Sequence, residues 1–425
     1  MGRNFKFKYN FLGSIFFPLI FLILTVLQYL SDWWVFKVSG SAEAKIREAM
    51  NFSDLRSILS YVPCYRTSGN SIYLFDNISP CHKGYIYGTP LLDFFSAIRV
   101  DDIPLFIVGS ALTIFFCLAL AVIASKALIG GRFNTYLILC SFLSPGIWLL
   151  LERTNLDILI FLMLLVSSQL FSKGYEISAI LVIAFTALFK FYTLPVILVL
   201  IVVTNRKSTR VVGTLVAFLV FPKVFLDISS ITNPGFPSTW YISFGLESIG
   251  LYINLFLEQI NQAKFILSSL EVKILGYLTL ILALILLSKF YKIESMNAID
   301  FLKISSDFTE LNFLRISFWI FGATFISCYL AGMSYDYRLT FLAAAGVSFI
   351  ALAKYQKVKI IRLTWIFSVA LWFSGSFLPS TSLLLSGLIQ LIGDISIFIL
   401  STLFLLVIIE VIKSTEYAKK IFKMF

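Results

Sequence analysis

PLFIVGSALTIFFCLALAVIAS, residues Pro104–Ser125, carries no charged side chain from end to end. Wound as an α-helix at 1.5 Å per residue it measures about 33 Å, enough to cross the roughly 30 Å hydrocarbon core of a bilayer. Asp101-Asp102 close it on one side, Lys126 and Arg132 on the other. A helix of this kind satisfies its own backbone, which is the condition for residence in lipid. Similar runs recur along the 425 residues: 59% are hydrophobic, 13% are charged, and the mean hydropathy is +0.91. The charged share is about half that of a soluble globular chain. A soluble enzyme, a disordered scaffold and a disulfide-built secreted domain are excluded. The fold class is an all-α polytopic membrane protein.

Outward from that run, basic clusters punctuate the apolar ones. The tail Met1–Lys8 is basic and precedes a first span, Phe11–Leu30, of full crossing length. It carries no small-residue cleavage site, so a retained helix is expected. Beyond Arg132, spans are expected at Phe133–Leu151 and Asn155–Phe171. Glu176–Thr204 is too long for one helix and short for two. Lys190 and Pro195 interrupt its middle, and Arg206-Lys207-Ser208-Thr209-Arg210 closes it. Two short helices meeting near Lys190 fit best, and irregular backbone at that depth survives only against protein or a wet cavity. Val211–Ile228 follows, then a span returning at Lys289 and Lys292. One pair of spans flanks Ser334–Leu339 and another flanks Pro379.

The sum is about twelve crossings in one domain over residues 1–425, in an inner or plasma membrane. The positive-inside rule assigns most of the Lys and Arg, and both termini, to the cytoplasm. Two long loops then lie outside. Residues 31–103 form the first extracytoplasmic loop. Within it Ile46, Met50, Leu55, Ile58, Leu59 and Val62 mark the apolar side of an amphipathic helix. Residues 229–264 form the second, with an interfacial helix marked by Ile249, Tyr252, Ile253, Phe256, Leu257 and Ile260.

The net charge of +11 suggests nucleic acid, but its distribution at span ends argues for membrane topology instead. A single histidine, His82, excludes a multi-histidine metal centre. It reads as a loop or substrate-rim residue. No cofactor is expected, and a divalent-metal requirement stays open. Cys64 and Cys81 are the two cysteines outside apolar runs and are candidates for a disulfide in an oxidising compartment.

Ionisable residues at the outer boundary carry the chemistry. They are Asp32 after the first span, Glu152-Arg153 with Asn155 and Asp157, Lys190 at the break, Lys223, and Asp336 with Arg338. Such groups near hydrocarbon are costly and usually paired. A structural role competes at each position, because span-end cations snorkel and Glu152 could pair with Arg338. For Lys223 and Asp157 the structural role is the stronger expectation. As a set, the cations suit a phosphate or diphosphate leaving group. A neighbouring carboxylate suits general-base activation of a hydroxyl. Together they describe group transfer from a lipid phosphate at the outer face.

The run Ser144-Pro145-Gly146 through Glu152-Arg153-Thr154-Asn155-Leu156-Asp157 resembles an "S-P-P … E-R-G-N-x-D" segment. It occurs in glycosyltransferase family 87 of the GT-C superfamily, the polyprenyl-phosphate-mannose-dependent branch. Phe189-Lys190-Phe191-Tyr192-Thr193-Leu194-Pro195 is similar to that family's "K-x-Y-P" break. Ser334-Tyr335-Asp336-Tyr337-Arg338-Leu339 is similar to its "D-Y-R-L" turn, and Cys81–Gly88, with Tyr85 and Tyr87, to its aromatic "Y-P/Y-G" stretch. The order matches over roughly residues 10 to 340. Two departures stand out: Thr154 replaces a Gly, and Thr193-Leu194 separates Tyr192 from Pro195.

The resemblance implies an inverting hexosyltransferase. Its donor is a polyprenyl-phosphate sugar, with mannose, another hexose or a pentose as the sugar. Its acceptor is a lipid-linked or cell-envelope glycan, and membrane lipids surround it. Asp32 would be the general base, and Arg153, Lys190 and Arg338 would bind the donor phosphate. Glu152, Asn155, Tyr192, Asp336, Tyr337, His82 and Tyr87 would line the substrate site. Two other readings stay open. An O-antigen-type polymerase or ligase would use a diphosphate donor, but usually carries its large loop later in the chain. A transporter or flippase would show paired halves with matching broken helices, and only one broken hairpin is visible. The sequence leaves the sugar, the acceptor and the oligomeric state open.

Overall fold

The computed structural model describes residues 52–68, 87–127, 141–230, 243–248, 268–290, 310–331, 333–335, 338–355, 361–373 and 383–414, with isolated positions at 138, 250 and 254. Outside them fall the expected span Phe11–Leu30, most of the first loop including Asp32, Cys81 and His82, nearly all of the expected interfacial helix after residue 248, and Asp336 and Tyr337.

The described chain is overwhelmingly α-helical. Thirteen helices are α1 (Ser53–Ser68), α2 (Thr89–Ala97), α3 (Leu105–Ala127), α4 (Pro145–Arg153), α5 (Asp157–Ser172), α6 (Glu176–Phe189), α7 (Leu194–Val203), α8 (Lys207–Ser230), α9 (Ser269–Phe290), α10 (Glu310–Leu330), α11 (Leu339–Tyr355), α12 (Ile361–Phe373) and α13 (Leu383–Ser414). Among the described residues, four helices have the length and apolarity to cross a membrane: α3, α8, α10 and α13. The rest of the apolar helices are shorter.

Their placement follows from what each presents. α10 is apolar on every side and nearly every residue from Asn312 to Tyr329 is buried, so it forms the axis of the bundle. α11 and α5 both pack along it, and α3 packs against each of those two. Phe161 of α5 sits at the centre, with ring centroids 5.0 Å from Phe116 of α3, 4.7 Å from Phe321 of α10 and 6.3 Å from Phe341 of α11. α8 is peripheral. Val211, Leu215, Phe218, Leu219, Phe225 and Leu226 all remain exposed, as a lipid-facing helix requires.

The interruption at Lys190 takes the expected form. α6 ends at Phe189, Lys190 is extended, Phe191–Thr193 make one 3₁₀ turn, and α7 starts with Pro195 in its first turn. The return is a hairpin, because the two distant ends meet again: Thr204 and Thr209 both donate hydroxyl bonds to Glu176, at 2.7 and 2.6 Å. The apolar run Phe133–Leu151 departs from its expected single helix. It turns at Leu143–Ser144, and α4 begins at Pro145, whose missing N–H suits a first helical turn and no interior position.

In the first loop, α1 buries Leu55, Ile58, Leu59 and Val62, the apolar side read from the sequence. It is anchored to α2 and the turn after it by Tyr65 to Asp93 and by Arg66 to Asp101, both at 2.6 Å. Burial, then the Asp93 hydrogen bond, pushes the Tyr65 hydroxyl up to about 12. Cys64 on α1 is disulfide-bonded, while Cys117 and Cys328 are buried thiols. A short antiparallel ladder joins β1 (Ser243–Gly245) to β2 (Met333–Tyr335), with Phe244 opposite Ser334. It fastens residues 243–245 to residues 333–335, shortly before Arg338.

Candidate functional site

The site is built on Asp157, the first residue of α5, which is 1% exposed. A carboxylate there must be offset, because burying an unpaired charge is prohibitive. Two cations do so from different segments. Lys190 Nζ lies 2.8 Å from Asp157 Oδ1, and Arg338 Nε lies 3.3 Å from Oδ2. The Tyr192 hydroxyl also donates to Oδ1. The hairpin break thus supplies Lys190 and Tyr192, the start of α11 supplies Arg338, and α5 presents the acceptor.

Asn155 is the junction. Its Oδ1 accepts from the Asp157 main-chain N–H at 3.0 Å and from Lys190 Nζ at 3.2 Å. Its Nδ2 donates to Asp54 of α1 at 2.5 Å. Asp54 is held a second time by Arg153, whose Nε and an outer nitrogen approach Oδ1 at 3.0 and 2.9 Å. The loop helix is therefore ionically bolted to the α4–α5 corner. That corner is possible because Thr154 adopts a left-handed conformation (φ 42°, ψ 55°), the helix-terminating geometry that favours glycine. Threonine meets its cost partly by donating its buried hydroxyl to Leu151 O at 2.9 Å. Thr193 is equally local: its hydroxyl and N–H both return to Lys190 O, closing the 3₁₀ turn.

Aromatic faces surround the charges. Lys190 Nζ stands 4.5 Å over the Tyr87 ring and 5.9 Å over Tyr192, and the Arg338 guanidinium stands 5.1 Å over Tyr192. Burial, reinforced by Asp54 and Asp157, pushes the Tyr87 hydroxyl far up, so it stays neutral. Tyr87 reaches this place through Gly88, where an added Cβ would fall 1.7 Å from Leu188 O, and whose N–H bonds Phe189 O.

Of the residues singled out in the sequence, Arg153, Asn155, Lys190, Tyr192, Arg338 and Tyr87 are brought into one network. Asp32, His82, Asp336 and Tyr337 lie outside the described residues, as does the side chain of Glu152. Lys223 belongs elsewhere: it bonds Asp227 and the Thr89 hydroxyl, both at 2.8 Å, and ties α8 to α2. Two members were not singled out as functional. Asp157 is the hub and not a bystander, and Asp54 reaches in from the loop. Asp157 could have been found by asking which cation offsets a carboxylate two residues after Asn155 at the mouth of an apolar helix. Asp54 had no such signal.

Exposure separates the cations. Lys190 is 3% exposed, and its three N–H directions go to Asp157, Asn155 and the Tyr87 face. Its role is to position its neighbours. Arg153 and Arg338 are 26% and 19% exposed and can meet a ligand. Comparison of the chain with family models, curated proteins and solved structures finds no match.

Proposed function

We propose that this protein is a membrane glycosyltransferase of GT-C type, with about twelve crossings. It would transfer a sugar from a polyprenyl-phosphate donor to a lipid-linked or envelope-glycan acceptor at the extracytoplasmic face. The supporting observation is a pair of partly exposed guanidinium groups, Arg153 and Arg338, anchored by Asp54 and Asp157 beside the Tyr87 and Tyr192 rings. Such groups suit the oxygens of a lipid-carried phosphate. The long stretch early in the chain, residues 31–103, favours the monophosphate donor over the diphosphate-using alternative.

In this reading Arg153 and Arg338 grip the phosphate by charge-assisted hydrogen bonds. Lys190 and Asp157 hold Arg338 and Tyr192 in place from beneath. The acceptor hydroxyl attacks the anomeric carbon, its proton passes to Asp32, and the bond from that carbon to the phosphate oxygen breaks. Polyprenyl phosphate leaves with the electron pair, and configuration inverts. Asp54 is a poor candidate for the base, since both of its oxygens are already engaged by Arg153 and Asn155.

The test uses purified protein in lipid with a panel of radiolabelled polyprenyl-phosphate sugars and a lipid extract as acceptor. A new glycolipid is expected from one donor, and its formation is lost in Asp32→Asn. Arg338→Ala should weaken donor binding at least roughly tenfold, the scale of one charge-assisted bond. Lipid flipping in the same vesicles without transfer from any donor would replace this reading with a transporter.

A further inference from the structure

The ends of α5, α6, α7 and α8 opposite the Asp157 network converge on a second cluster of charged groups. Arg206 Nη1 donates to Gly174 O at 2.9 Å and its Nε lies 3.5 Å from Glu176. Arg210 donates twice to Thr204 O, at 3.1 and 2.6 Å. Each guanidinium group is thereby tied to the backbone of this corner before any ligand arrives. Lys173, next to Gly174, and Lys207, next to Arg206, are exposed at the same corner. Glu176 offsets one of these four cations, and its carboxylate is already engaged by Thr204 and Thr209. The first N–H groups of the 24-residue α8 add their partial positive charge.

Below this corner the surface is apolar. Tyr175 is 62% exposed, and Ile177, Leu181 and Phe185 continue at four-residue intervals along α6 as an outward stripe, with Val211 and Leu215 on α8. Acyl chains would lie along such a stripe, with the headgroup at the cations.

We infer that this corner is a binding site for the phosphate headgroup of an anionic glycerophospholipid of the leaflet opposite the Asp157 network. Fixed arginines favour it, because little side-chain freedom remains to be lost on binding. The site does not depend on the proposed transfer reaction.

The experiment measures lipid retained by the purified full chain after equilibration in micelles doped with phosphatidylglycerol or phosphatidylcholine. Lys173→Gln with Lys207→Gln removes two exposed ammonium groups and leaves the Glu176 clasp intact. Lys126→Gln, at the same membrane face and paired with Glu310, is the control. Preferential retention of phosphatidylglycerol is expected, with roughly a tenfold loss or more in the double variant, as two cations near an anionic surface imply. Lys126→Gln should retain parent levels. Equal retention of both lipids by the parent, or undiminished selectivity in the double variant, overturns the site. So does displacement of the lipid by millimolar inorganic phosphate, which would reassign the corner to a free anion.

Discussion

At the scale of single residues, Asp157 is the member whose loss the protein tolerates least. Its carboxylate faces Lys190 and Arg338, and Lys190 is sealed from solvent. Asp157→Asn keeps the shape and removes the charge, leaving a buried ammonium uncompensated. Breaking such a pair costs roughly 3–5 kcal/mol. Adding Lys190→Met should return part of that loss, because the sealed ammonium is gone and only the partly exposed Arg338 then remains charged beside the amide. Unfolding in detergent micelles measures both, and parent-like stability of the single variant would disprove the counter-ion role. The contrast with Arg338→Ala is itself informative: that change acts at a partly exposed group and should weaken donor binding more than folding. Arg153, Lys190 and Arg338 were legible because a cation that interrupts or closes an apolar run has no packing reason to be there. Asp157 read as structural, and an acid at a helix N-terminus is stabilised by the helix dipole without any other partner, so its position alone does not mark a site. Asp54 was hidden for a different reason. The polar side of an amphipathic helix is polar whatever it touches, so nothing local distinguishes the one carboxylate that reaches Arg153.

At the scale of elements, the site depends on how closely the loop segment before α2 approaches the broken hairpin. Gly88 is the contact, with the Leu188 carbonyl where its Cβ would be. Gly88→Ala forces either that segment or the end of α6 to move, since the obstacle is backbone and not the tip of a side chain. Overpacking of this sort costs about 1–3 kcal/mol or more. It should also withdraw Tyr87 from Lys190, so sugar transfer is expected to fall along with thermal stability. A Gly88→Ala protein with parent stability and activity would show that the approach is not needed. The hairpin break itself could be read from Lys190 and Pro195, whose chemistry no continuous apolar helix accommodates. The turn before α4 was missed although Pro145 marks it, because the surrounding apolar run has the length of one crossing and length was allowed to decide. The β1–β2 ladder was beyond reading: three residues on each side hold too few positions to show an alternation. Its pairing is set by the helices that bring residues 243–245 and 333–335 together.

At the scale of the molecule, the two charged ends of the α5–α6 pair are separated by the length of the helices. α5 has 16 residues, about 24 Å at 1.5 Å each, close to the apolar thickness of a membrane. The Asp157 network and the Arg206–Arg210 corner therefore face opposite sides. The corner carries the denser positive charge, which agrees with the proposed orientation, corner in the cytoplasm and network outside. The helix count cannot decide this, because a chain inserted upside down has the same helices. Chemical labelling can. Ser60 on α1 is exposed beside the network, and Ser208 is exposed at the corner. With Ser60→Cys, a membrane-impermeant maleimide should label intact cells above the background of the parent thiols. Ser208→Cys should be labelled only after the cells are opened. Labelling of both from outside would mean that the two ends share one face and that α5 does not cross. The reversed pattern, with Ser208→Cys reached first, would place the arginine network in the cytoplasm, where a nucleotide-activated donor could reach it. The polyprenyl-phosphate reading would then lose its main reason, since a lipid-carried sugar is needed only on the side where nucleotide sugars are absent.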